Sequence, residues 1–389
     1  MNFIYLDNNS TTRTADEVVA AMQPYWTEQY GNASSLHLLG QAAKHAVETA
    51  REQVAALIGT RPRDIVFTSG GTESDNLAIV GTLAAHPHKR HIVTTAVEHV
   101  AVHGLCRRLE AEGYRVTFVG VDSGGHLDLN RFARALDGDT ALASVMYANN
   151  ETGVIFPISR IAEITARHGV PLHVDAVQAA GKINIDASSL GANLISISAH
   201  KIHGPKGVGA LFVGRGARLR SQFVGGHQER DIRPGTENVA AIVGFGVAAE
   251  RAKARLNNGI AGVAALRDRL EEGILARVDF GHVIGDRSAR TPNTTNIGFE
   301  RLSSEAILIA LSESGICASS GSACSSGSLE PSHVLKAMGI DERIAHGAVR
   351  FSLSCETTEA EIDRVLEVLP QIVRRLALVG LSQSAQSVL

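Results

Sequence analysis

The sequence predicts an α/β protein with a large domain, built on a mostly parallel mixed sheet, and a smaller α+β domain. Three observations lead to this prediction. Short apolar runs alternate with amphipathic segments over the first two thirds of the chain. Many of the apolar runs end in polar residues, as expected of buried parallel strands with a ligand site at their carboxyl ends. From about residue 257 longer helical patterns replace this alternation.

Seven strands of the large domain are predicted from short runs rich in β-branched and other apolar residues. They are Ile65–Thr68, His91–Thr95, Arg115–Val119, Leu142–Tyr147, Leu172–Asp175, Leu194–Ser198 and Ala210–Val213. Between them, segments such as Glu98–Glu112 and Ile158–His168 repeat apolar residues at helical spacing and predict covering helices. Strands separated by helices in this way favour parallel pairing.

The last third of the chain predicts a second, smaller unit. Its elements are a helix at Val263–Val278, a strand at Asn293–Phe299, a helix at Ser304–Ser314, a strand at Val349–Leu353 and a helix from Thr358. We therefore expect a large domain over residues 15–256 and a small C-terminal domain over residues 257–389. An N-terminal arm of residues 1–14 is expected to join the small domain.

Composition excludes several classes of function. The 389 residues include 37 basic and 40 acidic side chains, a formal net charge of −3. This balance gives no electrostatic basis for binding nucleic acid or an anionic membrane. No apolar run approaches the length of a membrane span, and the start of the chain lacks a signal-peptide pattern. Four cysteines make neither a disulfide framework nor a zinc spacing. We expect a cytoplasmic protein without a metal site.

One cysteine, Cys324, lies in a run of small and polar residues from Ala318 to Ser328. Such a run has no apolar face to bury, so it predicts a mobile, solvent-reachable loop. A thiol in that setting is placed to react rather than to pack. The other three cysteines are predicted to be structural, because they lie in a helical pattern or at strand edges: Cys106, Cys317 and Cys355.

A glycine turn follows the first predicted strand of the large domain. The segment 66–76 reads VFTSGGTESDN, a strand that turns through Gly70 and Gly71 into a helix. Glycines allow close approach of an anion, and a helix start offers unpaired N–H groups. The pattern is neither the nucleotide P-loop nor the dinucleotide fingerprint. It predicts a phosphate site only weakly when it is taken alone.

Polar residues follow two later strands. Asp175 and Gln178 come at the end of one, and His200 and Lys201 at the end of another. The carboxyl ends of parallel strands meet at one edge of a sheet, so these side chains should converge. Spacing alone leaves a plain surface ion pair equally open. With the glycine turn, the set matches the needs of pyridoxal phosphate: a Schiff-base lysine, an aspartate for the pyridine nitrogen and a helix start for the phosphate.

Ten short motifs then carry a family resemblance over essentially the whole chain. In order they are TSGGTESDN, EHVAV, NNETG, DAVQAAGK, SAHKIHGPKG, GGHQER, GTEN, SSGSAC, SLEPSHV and RFSLS. They resemble the cysteine desulfurases of the nitrogen-fixation (NifS-type) branch of the class-V aminotransferases. The resemblance implies the pyridoxal-phosphate-dependent transferase fold type I, which is like that of aspartate aminotransferase, and a homodimer. It also implies pyridoxal 5'-phosphate held as a Schiff base on Lys201.

The resemblance further implies which residues hold the cofactor. Lys201 would also move the α-proton of the substrate, Asp175 would pair with the pyridinium, and Gln178 would hydrogen-bond the phenolic oxygen. His99 would stack on the ring and shuttle protons. The residues implied for the phosphate are Gly71, Thr72, Ser198 and His200, with Thr236 from the partner subunit.

The substrate would be held by two further residues. Arg350 would clamp its carboxylate with two parallel hydrogen bonds, and Asn150 would lie near the ring and that carboxylate. Taken alone, each has a plainer interpretation, Arg350 as a surface arginine and Asn150 as a turn residue. His99 and His200 likewise belong to a chain with 16 histidines. Only the order of the motifs favours the site.

The implied reaction converts L-cysteine to L-alanine and leaves the sulfur on Cys324 as a persulfide. That sulfur would supply iron–sulfur cluster assembly through a scaffold or other acceptor protein, with nitrogenase maturation as the expected use. The alternatives are a housekeeping iron–sulfur desulfurase, a selenocysteine lyase or aminotransferase on the same fold, and a non-catalytic sulfur carrier. The carrier would not need Lys201, Asp175 and the glycine turn together.

Overall fold

The computed structural model describes residues 3–320 and 331–386 of the chain. Its strands are β1 (Ile4–Tyr5), β2 (Ile65–Thr68), β3 (His91–Thr95), β4 (Arg115–Val119), β5 (Thr140–Met146), β6 (Leu172–Asp175), β7 (Leu194–Ser198), β8 (Gly209–Val213), β9 (Gly281–Val283), β10 (Thr294–Phe299), β11 (Ile316–Cys317) and β12 (Ala348–Ser352). Its α-helices are α1 (Asp16–Met22), α2 (Pro24–Thr27), α3 (Leu38–Leu57), α4 (Gly71–Ala85), α5 (Val100–Ala111), α6 (Leu129–Ala135), α7 (Ile158–Arg167), α8 (Val239–Asn258), α9 (Ile260–Leu275), α10 (Ser304–Glu313), α11 (His333–Ala337), α12 (Glu342–Ala345) and α13 (Glu359–Gln386).

Seven strands form the central sheet in the order β2-β8-β7-β6-β5-β3-β4. Strand β8 pairs antiparallel with β2 and β7, and the remaining pairs are parallel. Along β2, Ile65 and Phe67 join one apolar cluster and Val66 joins another, because successive side chains point to opposite faces. The predicted mostly parallel mixed sheet with both faces covered is therefore confirmed.

Most of the predicted elements lie where the sequence placed them. Strands β2, β3, β4, β6 and β7 have the predicted bounds, and β5 and β8 differ by one or two residues at their ends. The long helices α3 and α8 were not among the predicted elements. They pack closely because Gly246 has no side chain: a Cβ at that position would lie 2.7 Å from the Cα of Ala50.

Two smaller sheets lie in the rest of the chain. Strands β12, β10 and β9 form an antiparallel sheet, and β1 pairs in parallel with β11. Their apolar cluster includes Leu6 of the arm together with Ile297, Val349 and Phe351. The arm thus packs with C-terminal elements, while α8 runs past residue 256. The boundaries 1–14, 15–256 and 257–389 stay predictions.

The N-terminal arm continues along the carboxyl edge of the central sheet. Thr12 N donates to His200 O at 2.9 Å, and His203 N donates to Thr12 Oγ1 at 2.7 Å. On its other side, Asn8 N donates to Ser352 O at the end of β12. Residues 7–12 therefore run between the large sheet and the small one.

The described residues contain no helix that is long and apolar enough to cross a membrane. Within the same part of the chain, no group of three or more histidine, cysteine, aspartate or glutamate side chains is arranged to hold a metal ion.

Candidate active site

A cleft of about 440 Å³ opens at the start of α4. Four of the five residues predicted for the phosphate line it, and they are Gly71, Thr72, Ser198 and His200. Ser198 Oγ is buried and has no hydrogen-bond partner among the described residues. An unpaired buried hydroxyl beside an uncapped helix start suits a phosphate, which accepts hydrogen bonds from both. The cleft therefore fits the predicted group.

Glycine is required at position 71 for the approach of this helix to the sheet. A Cβ there would lie 2.7 Å from Val177 Cγ2, two residues beyond Asp175. The absence of a side chain at Gly71 thus lets the start of α4 lie against the turn that follows β6. The anion cleft and the carboxylate of Asp175 are brought to one edge of the sheet.

Asp175 ends β6 and is 5% exposed. Its Oδ1 accepts a hydrogen bond from Val177 N at 2.9 Å. Burial raises the pKa of Asp175 to about 6, although the Val177 N–H and the charge of Lys201 oppose the rise. A buried carboxyl of this kind is stabilised in its charged form by a cationic partner. A protonated pyridine nitrogen is such a partner, so Asp175 also fits the predicted cofactor.

Lys201 lies in a single helical turn, Ala199–Lys201, that directly follows β7. Its Nζ donates to Asn9 O at 2.6 Å and to Ser10 O at 2.7 Å. The predicted Schiff-base lysine is therefore held by two backbone carbonyls of the arm. Its position close to Asp175 is reflected in the pKa of Asp175, which the charge of Lys201 lowers.

Gln178 lies in the turn after β6, and its amide is held on both sides. Its Nε2 donates to Asn9 O at 2.9 Å, and its Oε1 accepts from Lys182 Nζ at 2.5 Å. Lys182 also donates to Asn9 Oδ1 at 2.8 Å. Asn9 is 2% exposed and accepts hydrogen bonds from the side chains of Gln178, Lys182 and Lys201.

His99 caps the start of α5, where its Nδ1 accepts a hydrogen bond from Ala101 N at 3.2 Å. Burial lowers the pKa of His99 to about 4, and the charges of Lys201, His333 and Arg350 lower it further. The ring is therefore neutral near pH 7. Because Nδ1 accepts, the proton of the neutral ring resides on Nε2.

Arg350 is the largest fully buried side chain with polar atoms in the described part of the chain. Its Nη2 donates to Asp7 Oδ1 and to Ser10 Oγ, each at 2.7 Å, and its Nη1 donates to Asn150 O at 2.9 Å. Asn150 Oδ1 is buried and, among the described residues, has no hydrogen-bond partner. The structure thus brings together both residues predicted for the substrate.

Ser332 and His333, which follow the segment that carries Cys324, are hydrogen-bonded to two residues next to predicted site residues. Ser332 Oγ donates to Glu151 Oε1 at 2.7 Å, and His333 Nε2 lies 2.9 Å from Glu98 O. Glu151 follows Asn150, and Glu98 precedes His99. On the other side, Ser319 N donates to Arg350 O at 3.2 Å.

One predicted residue, Thr236, stands apart from this cluster and is exposed in the segment that precedes α8. Cys324 lies outside the described residues. Of the cysteines that were predicted to be structural, Cys106 is buried, Cys317 is partly buried and Cys355 is exposed.

Prediction from the sequence missed Asn9 and Lys182. Lys182 ends the recognised string DAVQAAGK, whereas Asn9 lies in the arm, outside the ten motifs. The sequence does show a lysine, Lys182, four residues after Gln178. Its contact with Asn9 could not be predicted, because Asn9 belongs to the arm, which is distant in sequence.

A lysine and an aspartate at strand ends, beside an anion cleft at a helix start, define the class of pyridoxal-phosphate-dependent enzymes on this fold. The chain belongs to the aminotransferase class-V family, whose model matches residues 4–365. The family and the fold class that the sequence motifs predicted are thereby confirmed.

Two curated relatives and one solved structure illustrate the similarity. The chain is 55% identical over 376 residues to a cysteine desulfurase of Nostoc sp., covering 97% of this chain and 94% of the relative. It is 53% identical over 374 residues to the cysteine desulfurase NifS of Azotobacter vinelandii, covering 96% and 93%. A solved NifS-like protein superposes with a TM-score of 0.90 at 38% identity, covering 96% of this chain and 100% of that one.

Proposed function

We infer that this chain is a pyridoxal-phosphate-dependent cysteine desulfurase, which converts L-cysteine to L-alanine and supplies sulfur for iron–sulfur cluster assembly. The prediction from the sequence is confirmed in this respect, because relatives that are 52–55% identical over nearly the whole chain bear this name. One observation carries the proposal at the level of structure. Lys201, Asp175 and the anion cleft meet at one edge of the central sheet.

The cofactor would be held by groups already described. Gly71, Thr72, Ser198 and His200 would hold its phosphate, Asp175 its pyridine nitrogen, and Lys201 its aldehyde carbon as a Schiff base. Gln178 would donate to its phenolic oxygen. When bound, pyridoxal phosphate withdraws electrons from the α-carbon of the substrate and thereby makes the α-proton acidic and the bond from the β-carbon to sulfur labile.

Substrate binding falls to Arg350 and Asn150. A guanidinium presents two parallel N–H groups that match a carboxylate. Arg350 Nη2 already holds the carboxylate of Asp7, so the carboxylate of L-cysteine would replace this contact. The unpaired Oδ1 of Asn150 would accept a hydrogen bond from the substrate. Both contacts would fix the orientation of the substrate in the site.

Proton movement falls to Lys201 and His99. As a free amine, Lys201 would accept the α-proton of the substrate and return it to the product. His99 is neutral and keeps its proton on Nε2, because Nδ1 accepts from the α5 backbone. It would act first as a hydrogen-bond donor and not as a base.

Cys324 would receive the sulfur. Its thiolate attacks the sulfur of the substrate, an S–S bond forms, and the electron pair of the broken bond from carbon to sulfur stays with the β-carbon, which is then protonated to give alanine. A persulfide remains on Cys324. No external oxidant or reductant enters this balance.

A homodimer is the proposed assembly. Large apolar side chains are exposed in two segments that border one groove, lined by Ala33, Ser34, His227 and Gln228 among others. They are Trp26, Tyr30, Leu36, Leu38, Phe223 and Val224. An apolar surface of this kind suits a second copy of the chain. Thr236 is exposed and directly precedes Glu237, which also lines this groove, and this supports its proposed role in the partner's phosphate site.

The proposed user of the sulfur is an iron–sulfur scaffold in the cytoplasm, with nitrogenase maturation as its purpose. The 53% sequence identity to NifS of Azotobacter vinelandii supports nitrogenase maturation as the proposed purpose. Purified chain incubated with candidate scaffolds and L-cysteine would distinguish a nitrogen-fixation scaffold from a housekeeping one, by the relative rates of sulfide transfer.

The central test is mass spectrometry after incubation with L-cysteine. We expect alanine in solution and one added sulfur atom on Cys324. Cys324→Ala should keep the visible absorption of the bound cofactor and form no protein persulfide. The matched control is Cys355→Ala, which removes an exposed thiol that has no proposed role and should retain full persulfide formation. Unchanged cysteine turnover in Cys324→Ala would contradict the proposal.

A further inference from the structure

A buried lysine, Lys182, shares a hydrogen-bond partner with the partly buried Lys201. Lys182 is 9% exposed, and its Nζ donates to Gln178 Oε1 at 2.5 Å and to Asn9 Oδ1 at 2.8 Å. Burial lowers the pKa of Lys182 well below its usual range, and the charges of Lys201 and Arg350 lower it further. Burying a lysine is unfavourable unless its donors are paired, and Lys182 is paired with both Gln178 and Asn9.

The contacts of Lys182 determine how the amide of Gln178 is oriented. The amine donates to Gln178, so the amide oxygen faces Lys182 and the amide nitrogen faces away. The carbonyl of Asn9 requires the same orientation, because it can only accept, and Gln178 Nε2 donates to it at 2.9 Å. One N–H of Nε2 is used there. Its second N–H has no acceptor among the described residues.

Asn9 joins the two lysines. Its backbone oxygen accepts from both Lys201 Nζ and Gln178 Nε2, while its side-chain oxygen accepts from Lys182. Its Nδ2 donates to Thr294 Oγ1 at 2.9 Å and to Asn150 O at 3.2 Å, which fixes its own amide orientation. The arm, the turn after β6 and the turn after β7 are thereby held as one unit.

A merely structural role would be to satisfy Asn9 Oδ1. That role is already shared, because Asn293 Nδ2 donates to the same atom at 3.0 Å. Asn293 has no hydrogen bond to Gln178 in the described part of the chain. The contact to Gln178 is therefore what distinguishes Lys182 from Asn293.

We propose that Lys182 is a positioning residue that holds the Gln178 amide with its remaining N–H directed to the phenolic oxygen of the cofactor. This inference rests on the proposed function, since it assigns a further residue to the same site. A donor to the phenolic oxygen stabilises that oxygen as an anion. The proton affinity of the bound chromophore thus depends on Lys182 through Gln178.

The test is a pH titration of the visible absorption of the holoenzyme. Lys182→Met removes both donors while keeping the apolar stem. We expect the midpoint of the absorption change to rise by about one pH unit, the size of one hydrogen bond to a charged group. Asn293→Ala, the matched control, removes a donor to Asn9 Oδ1 without touching Gln178 and should leave the midpoint within about 0.2 unit of the wild type.

A double variant separates positioning from direct charge. Gln178→Met should raise the midpoint as Lys182→Met does, and the two changes together should raise it no further, because they act through one amide. Additive shifts, an equal shift in Asn293→Ala, or an unchanged midpoint in Lys182→Met would each overturn the proposal. Should Lys182→Met fail to fold, Gln178→Glu keeps an acceptor for Lys182 and must still raise the midpoint.

These outcomes are distinct from failure of the proposed function. A wild-type chain that forms no borohydride-sensitive chromophore with pyridoxal phosphate would overturn the proposed function itself. A normal wild-type chromophore with an unaffected Lys182→Met midpoint overturns only the role of Lys182. The dissociation constant of the cofactor, measured on the same proteins, should rise in Lys182→Met and in Gln178→Met alike.

Discussion

Two buried arginines hold carboxylates in different ways. Arg51 forms two parallel hydrogen bonds with Glu229, at 2.7 and 2.8 Å, and that carboxylate also accepts from Phe67 N at 2.9 Å. Arg350 Nη2 donates both to Asp7 Oδ1 and to the hydroxyl of Ser10, and its Nη1 donates to the carbonyl of Asn150. The side chains of the first pair are 7% and 4% exposed, while Asp7 is 20% exposed.

The difference separates a structural ion pair from an exchangeable one. Glu229 is enclosed and fully engaged, so no other carboxylate can take its place. Asp7 is more open and engages only part of the guanidinium of Arg350, so a substrate carboxylate can compete for it. We expect replacement of Arg51 to alter stability, and replacement of Arg350 to alter catalysis.

The largest effect is expected for Arg51→Met. Removing one partner leaves Glu229 buried without its cation, which costs about 3–5 kcal/mol of unfolding free energy. The change should be measured by denaturant unfolding of the cofactor-loaded protein. In Arg51→Met/Glu229→Gln part of this loss should be recovered, because Gln can still accept from Phe67 N. If Arg51→Met instead showed a large rise in KM for L-cysteine without loss of stability, the Arg51–Glu229 pair would not be purely structural.

Arg350→Leu should lower kcat/KM for L-cysteine by about 10²–10³-fold, while the visible absorption of the cofactor is retained. The physical reason is the loss of a buried, charge-assisted carboxylate contact. Arg350→Lys keeps the positive charge but loses the two parallel N–H donors of the guanidinium, so its kcat/KM should lie between those of Arg350→Leu and the wild type. Steady-state alanine formation measures both. Equal kcat/KM in Arg350→Leu and the wild type would remove Arg350 from the substrate site.

A buried carboxyl without a cation provides a third case. Burial raises the pKa of Glu98 to about 8, and its Oε2 has no hydrogen-bond partner among the described residues. Since the folded state binds this proton more tightly, the stabilisation is complete below about pH 4.5 and is lost as pH rises through 8. Glu98→Gln stays neutral and should match the wild type at pH 5.

At pH 9, Glu98→Gln should therefore be more stable than the wild type by about 4 kcal/mol, seen as a higher Tm, because the pKa of Glu98 lies about three units above pH 5 and each unit corresponds to about 1.4 kcal/mol. Glu112→Gln, at the half-exposed end of α5, is the control and should change stability by less than about 0.5 kcal/mol at either pH. If the difference in stability between Glu98→Gln and the wild type does not increase from pH 5 to pH 9, Glu98 is already ionised in the folded protein at pH 5.

The smallest effect is expected for Asp7→Asn. This change weakens the resident partner of Arg350 and so favours the competing carboxylate of the substrate. KM for L-cysteine should fall about threefold with little change in kcat, since a partly exposed ion pair contributes at most about 1 kcal/mol. Ser10 Oγ can still donate to the amide oxygen at position 7. A KM that rises would mean that Asp7 positions Arg350 and does not compete for it.

The sequence predicted those features that depend on local pattern. Strands β2, β3, β4, β6 and β7 were placed correctly because each is a short, largely apolar or β-branched run bounded by turns. Asp175 and Lys201 were predicted to meet because both end strands of one parallel sheet. Of the cleft residues, Gly71 was predicted from the glycine turn that follows β2, whereas Ser198 was predicted only from the family resemblance.

The missed features depend on contacts between distant parts of the chain. Asn9 lies 169 residues from Gln178 and 173 from Lys182, and no local pattern links them. Helices α3 and α8 are rich in small residues such as Ala50 and Gly246, whose value lies in close packing that only the folded pair reveals. Likewise, the pairing of Arg350 with Asp7 required the arm to be placed.

The attachments of the chain on either side of Cys324 set a limit on distance. Ser319 is bonded to Arg350 through the backbone, and Ser332 to Glu151 through its hydroxyl. Cys324 is the fifth residue after Ser319, and a fully extended chain spans at most about 18 Å over that length. If Cys324 carries the sulfur as we propose, a protein that collects this sulfur would have to come within that radius of the mouth of the site while these bonds hold. The proposed acceptor should therefore have a projecting part of its surface that reaches this mouth.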